Sequence, residues 1–191
     1  MAFSVSSLVV LVMILSSPIY STSCNLPLSL TLENQETVRA LDQVGTVSLL
    51  SCLNYRTNFK FAKEQLDGQF QKAQAMSIVH ETVQQVFHLF FLVNVSAAWD
   101  KTLLDLVRTG LHQQLEYLDS CLVQLGTEED SALSYGSASL EMKRYFRRIR
   151  LYLKEKKYSV CAWEVVRVEI KRCFLFINKF IRTQGLEEER S

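Results

Sequence analysis

The residues that could do chemistry are few: three histidines and five cysteines in 191 positions. His80-Glu81-Thr82-Val83-Gln84 opens like the helical zinc motif His-Glu-x-x-His, in which two imidazoles one turn apart hold the metal and the glutamate serves as general base. Here the second ligand position is Gln84, and His88 stands eight residues on, displaced around the helix, so the motif is incomplete. His80, His88 and His112 are more simply surface or interhelical hydrogen-bonding groups. The chain has no nucleophile elbow, no phosphate-cradling glycine loop and no Cys-x-x-Cys pair. No enzyme activity, metal or cofactor is expected.

The cysteines point to compartment instead. Leu8 to Leu15 is an unbroken apolar run, followed by Ser16, Ser17 and Pro18, with the small residues Ser21 and Ser23 at the −3 and −1 positions of a cleavage before Cys24. That pattern predicts a secretory signal peptide over 1–23, although its start carries no Lys or Arg; an uncleaved interfacial helix is the alternative. The run is too short to cross a bilayer, which takes roughly 20 residues, and no later stretch is apolar enough, so no membrane insertion is expected. Five cysteines in a secreted chain imply two disulfides and one leftover thiol, in any of about 15 arrangements. Composition does not choose among them. Cys173 falls on an apolar helical stripe, where a thiol is either a buried small hydrophobe or a partner for an intermolecular disulfide.

Removing the leader leaves about 168 residues, 24–191, one domain's length with a single core. The 21 basic and 20 acidic side chains nearly balance, which argues against a general nucleic-acid binder. No proline follows Pro27, glycine is scarce, and no apolar-polar alternation persists, so the chain reads as all-helical. Five helices are predicted. The first spans about 32–47, with Val38, Leu41 and Val44, and the second about 75–92, with Ile78, Val79, Val83, Val86, Phe87 and Phe90. The third starts near Ser96 or Ala97 and ends by Gly126. It carries Trp99, Leu103, Leu106, Leu111, Leu115, Leu118, Leu122 and Leu125, with Asp100 complementing its N-terminus. The fourth spans about 139–156. The fifth, about 159–182, has Ala162, Val166, Ile170, Cys173, Ile177 and Ile181 as its stripe, and Gly185 with the acidic Glu187 to Glu189 marks a frayed tail over 184–191. Two long links, between helices one and two and between three and four, favour parallel neighbours and hence an up-up-down-down cytokine bundle.

From Tyr152 to Phe174 the chain reads Tyr-Leu-Lys-Glu-Lys-Lys-Tyr-Ser-Val-Cys-Ala-Trp-Glu-Val-Val-Arg-Val-Glu-Ile-Lys-Arg-Cys-Phe. This run closely resembles the last two helices of type I interferons. The resemblance covers the mature chain: Cys24-Asn25-Leu26-Pro27, Ser51-Cys52-Leu53, Phe70-Gln71-Lys72-Ala73, Gln84-Gln85-Val86-Phe87 and Ser96-Ala97-Ala98-Trp99-Asp100 follow in family order. Thr109-Gly110-Leu111-His112-Gln113-Gln114-Leu115 is similar to omega-type members, which points to the alpha and omega branch, with delta and tau types as alternatives. The resemblance implies disulfides Cys24–Cys121 and Cys52–Cys161, the second holding Leu53 and Arg56 beside Arg167 and Arg172.

It also implies partners. The family's higher-affinity receptor chain is met by the first crossover and the outer face of the last helix, here Leu53, Arg56, Arg167, Val168, Lys171, Arg172 and Phe176. Apolar residues ringed by arginines have the composition of an interface hot spot. The lower-affinity chain is met by Phe87, His88, Leu92, Leu103, Arg108, His112, Lys143 and Arg144. Lys171 departs from the family's usual methionine, Arg108 and His112 from aromatic residues of alpha types, and Leu92 from a polar one. Lys143, Arg147, Arg150 and Lys154, with Arg144, Arg148, Lys156 and Lys157, make one helix face strongly positive; it is a solvated face, a receptor contact or a polyanion patch. Asn94-Val95-Ser96 is an N-glycosylation sequon, unless Ser96 serves only as a helix cap. The implied function is that of a secreted, monomeric cytokine that bridges the two chains of the type I interferon receptor and triggers JAK-STAT antiviral and immunomodulatory signalling. The alternatives are a helical cytokine with a reproductive or tissue-restricted role and a polyanion-binding secreted protein.

Overall fold

A computed structural model of the chain describes residues 24, 28–45, 47–61, 63–91, 99–125 and 132–186. Six α-helices follow in order: α1 Leu28–Val44, α2 Lys63–Leu66, α3 Lys72–Phe90, α4 Lys101–Gln124, α5 Ala132–Glu155 and α6 Val160–Thr183, with a 3-10 helix at Leu49–Tyr55. Five are long, as the apolar periodicity predicts. The short α2 and the 3-10 helix lie within the first crossover, where no periodicity announces them. Among the described residues there is no strand, only an isolated antiparallel bridge between Gly45 and Trp99.

Residue pairs across the interfaces fix the helix directions. Asn34 donates to Asn178 at 2.8 Å near the start of α1, and Lys171 pairs with Asp42 near its end, so α1 and α6 are antiparallel. His80 meets Asp119 at 2.8 Å and Arg108 meets the Phe90 carbonyl at 3.0 Å, so α3 and α4 are antiparallel. Gly45 opposite Trp99, with Cys24 bridged to Cys121, sets α1 against α4 in the same sense. Helices α1 and α3 therefore run up, and α4 and α6 run down. Helix α5 runs parallel to α3, since Lys143 reaches Glu81 and Arg150 donates to Gln85. The first crossover thus joins parallel helices, whereas the second joins antiparallel ones. Helix α5 packs on α3 and α6 rather than on α4.

Local chemistry explains the boundaries. Asp100 caps α4 by accepting from Leu103 N at 2.9 Å, so the helix starts after Trp99 rather than at Ser96. Freed from the helix, Trp99 lies between Phe90 and Trp163, with ring centroids 5.4 and 5.3 Å away. The buried face of α4 is Leu104, Val107, Leu111, Leu118 and Cys121, whereas Leu106 is 63% exposed. Ser159 caps α6, and every residue of its predicted stripe is buried, Cys173 included. Burial pushes the unpaired Cys173 thiol up, away from the reactive thiolate, which favours the buried-hydrophobe reading over an intermolecular bridge. Residues 184–186, expected to fray, pack on the end of α6: Gly185, at φ +62°, turns the chain so that Leu186 N donates to Ile181 O, and Leu186 is buried. Residues 1–23 and 187–191 lie outside the described residues, as do Leu92, Asn94, Ser96 and Gly126.

Candidate functional site

One flank is built where the first crossover lies against α5 and α6. The Cys52–Cys161 bridge fastens the 3-10 helix to the first turn of α6. Below it, side chains of the helices bond the crossover backbone. Tyr152 donates to the Tyr55 carbonyl at 2.7 Å, and Arg148 donates to the carbonyls of Phe59 and Lys60, both at 2.9 Å. Gln184 donates to Gly68 O at 2.8 Å and accepts from Phe70 N at 2.9 Å. Phe61 sets its ring edge-on to Tyr145 and Phe176, at 5.0 and 4.8 Å. A segment with little regular structure is thereby fixed, because its backbone polar groups, part-buried or exposed, find partners on the helices.

This frame exposes a cation-rich surface around an apolar centre. Leu53 is 50% exposed, Arg56 and Arg172 are exposed, and Val168, Lys171 and Phe176 are partly so. Leu50, one turn from Leu53 and 77% exposed, adds apolar area that sequence reasoning missed; its neighbours give no periodic pattern to mark it. Arg167 lies at this flank but turns inward. Its side chain is 12% exposed, donates to the carboxylate of the buried Glu164 and to the Leu41 carbonyl, and stands 3.8 Å from Asp42. The Glu164 hydrogen bond raises its pKa further, against the pull of burial. Gly45 makes room: a Cβ there would stand 2.9 Å from Arg167 Nε. Lys171 pairs with Asp42 beside it, so its charge is compensated across the α1–α6 seam.

The other flank lies along α3, α4 and α5. Phe87 packs against Phe91 at 4.5 Å between centroids and against the His112 ring at 6.0 Å. Arg108 bonds the Phe90 carbonyl and lies over the Phe91 ring at 4.9 Å, so this cation caps a helix end while covering an aromatic face. Phe91, 56% exposed, is a residue the sequence reading did not single out. His88 is exposed nearby, and Lys143 and Arg144 extend the flank over α5, pairing with Glu81 and Glu141. Leu103 does not join this group. It lines a groove between α1 and α4 with Ala40, Leu106 and Gly110.

Other expectations meet the geometry as follows. His80 faces Asp119 instead of a second histidine, and among the described residues no group of three or more His, Cys, Asp or Glu side chains could hold a metal ion. No described helix is long and apolar enough to cross a membrane. Helix α4 takes its cap from Asp100, and the sequon at Asn94 and Ser96 lies outside the described residues.

Comparison with known proteins adds ancestry. The family profile described as "Interferon alpha/beta domain" matches residues 26–184. Interferon omega-1 of Equus caballus is 59% identical over 175 residues, covering 91% of this chain and 90% of its own. Interferon omega-1 of Homo sapiens is 48% identical over 191 residues, covering 99% and 98%. Interferon alpha-1 of Equus caballus is 49% identical over 175 residues, covering 91% and 95%. Among solved structures, zebrafish interferon 2 superposes with a TM-score of 0.67 at 21% identity, over 78% of this chain and 97% of its own, a likeness of fold.

Proposed function

The chain belongs to the interferon alpha/beta family, a family of cytokines and not of enzymes, and from that premise we propose that it joins two different receptor chains at the cell surface. The observation that supports this reading is the pairing of two chemically unlike surfaces on separate flanks of one disulfide-fixed bundle. Leu53, Arg56, Val168, Lys171, Arg172 and Phe176 form the surface for the higher-affinity chain of the type I interferon receptor, with Leu50 beside them. Arg167 serves there as a positioning residue that holds the end of α1. Phe87, His88, Arg108, His112, Lys143 and Arg144, with Phe91, form the surface for the lower-affinity chain. Leu92, just beyond Phe91 in sequence, belongs with them.

The mechanism needs no covalent step. Capture by one chain confines the cytokine to the membrane plane, where the second binding becomes effectively intramolecular and the local concentration of the other chain rises to a scale of about millimolar. The joined chains bring their associated Janus kinases together, which phosphorylate STAT factors and induce antiviral genes. The protein is secreted through the leader over 1–23, acts as a monomer, and carries a glycan at Asn94 that tunes access to the second flank. Titration against the two receptor ectodomains separately tests the reading: both should bind, the first more tightly. Antiviral induction that persists in cells lacking the type I receptor would instead support a helical cytokine using another receptor.

A further inference from the structure

Between the first crossover and the outer face of α6 runs a cleft of about 880 Å³. Arg56, Lys60 and Lys63 line its crossover wall, and Arg172 and Lys179 line its helix wall. Only two acids, Asp67 and Glu169, answer these five cations, and Glu169 is already engaged, accepting from Tyr145 at 2.8 Å and lying 3.9 Å from Arg172. Lys60 holds φ at +51°, the left-handed region that costs a non-glycine residue on the order of 1 kcal/mol. Arg148 pins it there through the carbonyls of Phe59 and Lys60, so a buttressed and otherwise unfavourable backbone turn carries one ammonium on the cleft wall.

The remaining lining narrows the ligand class. Phe61 and Phe176 supply partly exposed ring surface, with Phe180 buried behind Phe176. The exposed Asn58 and Gln69 supply side-chain amides, Asn58 Oδ1 being taken by Lys60 N, while the Thr183 hydroxyl is bonded to Phe180 O. The crossover's carbonyls at Phe59, Lys60 and Gly68 and its amide at Phe70 are already bonded by Arg148 and Gln184. A peptide laid in the cleft would find few main-chain partners there. A sulfated sugar needs none: its sulfates meet cations, its hydroxyls meet the Asn58 and Gln69 amides, and its ring lies against the partly exposed Phe61 and Phe176. We propose that this cleft binds sulfated glycosaminoglycan of the heparan-sulfate type. Because Arg56 and Arg172 belong to both surfaces, a bound glycan competes with the higher-affinity receptor chain. Lys60, Lys63 and Lys179 belong to the cleft alone, so the inference stands apart from the receptor reading.

The test is binding to immobilised heparin across a salt series. The variant Lys60→Ala/Lys63→Ala/Lys179→Ala is compared with Arg147→Ala/Lys154→Ala/Lys156→Ala, which removes equal charge from α5 and the turn that follows it. By counterion release, loss of three contacts should weaken binding about tenfold or more and make the salt slope shallower by roughly three, while the α5 variant changes little. Unchanged binding by the cleft variant, or an equal loss in both, overturns the proposal. So does polyglutamate of matched charge displacing the protein from heparin as well as free heparin does, which would assign the cleft to acidic peptides. Titration of the cleft variant against the higher-affinity receptor ectodomain, expected to be unchanged, keeps failure here distinct from failure of the receptor reading.

Discussion

The two flanks solve the same problem, presenting a surface, by different physics. On the crossover flank, Cys52–Cys161, Tyr152, Arg148 and Gln184 hold a loop by its backbone, and most of the cations above it stay exposed. On the α3–α4–α5 flank the surface is the helices themselves, and its cations are engaged: Arg108 is folded back onto Phe90 and Phe91, while Lys143 and Arg144 pair with Glu81 and Glu141. The first surface is preorganised by long-range bonds and rich in charge, so its binding should weaken with salt. The second depends on aromatic area and should be far less salt-sensitive. The contrast teaches that damage to the stitching should affect one receptor chain and spare the other.

Breaking the Cys52–Cys161 bridge should have the largest effect. Replacing both residues by serine opens a bridge between positions 109 apart, for which loop-closure entropy gives about 4 to 5 kcal/mol of stability. Calorimetry should show that loss, and surface binding should show a more than tenfold drop for the higher-affinity chain with the lower-affinity chain nearly unaffected. Arg148→Ala leaves two carbonyls without their donor and should cost about 1 to 3 kcal/mol, seen in denaturant titration and as faster amide exchange in the crossover. Phe87→Ala with Phe91→Ala should invert the pattern, lowering affinity for the second chain about tenfold while the first is unchanged.

Alkali probes the stitching without mutation. Burial pushes the Tyr152 hydroxyl up to about 12 from an ordinary value of 10.0, so its contribution is complete below pH 10 and is lost as pH rises toward 12. Stability measured against pH should fall over that window, and Tyr152→Phe should flatten the fall. Lys171→Met should be the mildest change. It removes an exposed pair with Asp42 worth at most about 1 kcal/mol, and affinity for the higher-affinity chain should move by no more than about fivefold.

What the sequence disclosed depended on how far apart the cooperating residues are. Helix α6 was readable because Ser159 and the stripe from Ala162 to Ile181 lie in one amphipathic run. Helix α4 was only partly so: leucines at steps of three to five fit more than one stripe, and Leu106 falls on the wrong one while Leu104 and Val107 are buried. Trp99 looked helical until Asp100 capped the helix after it. The bonds from Arg148 to Phe59 and Lys60, 89 and 88 residues away, leave no trace in local pattern. The inward turn of Arg167 depends on Glu164, one turn earlier, and on Leu41 in another helix. The family resemblance names Arg167 beside Arg172 and Leu53, but its orientation is a product of packing.

Sequential binding of the two receptor ectodomains to immobilised, fully oxidised and monodisperse protein tests the central claim most directly. Saturation with the higher-affinity ectodomain should leave the second site open, giving a one-to-one-to-one complex, and raised salt should weaken the first step much more than the second. Mutually exclusive binding of the two ectodomains would contradict the account.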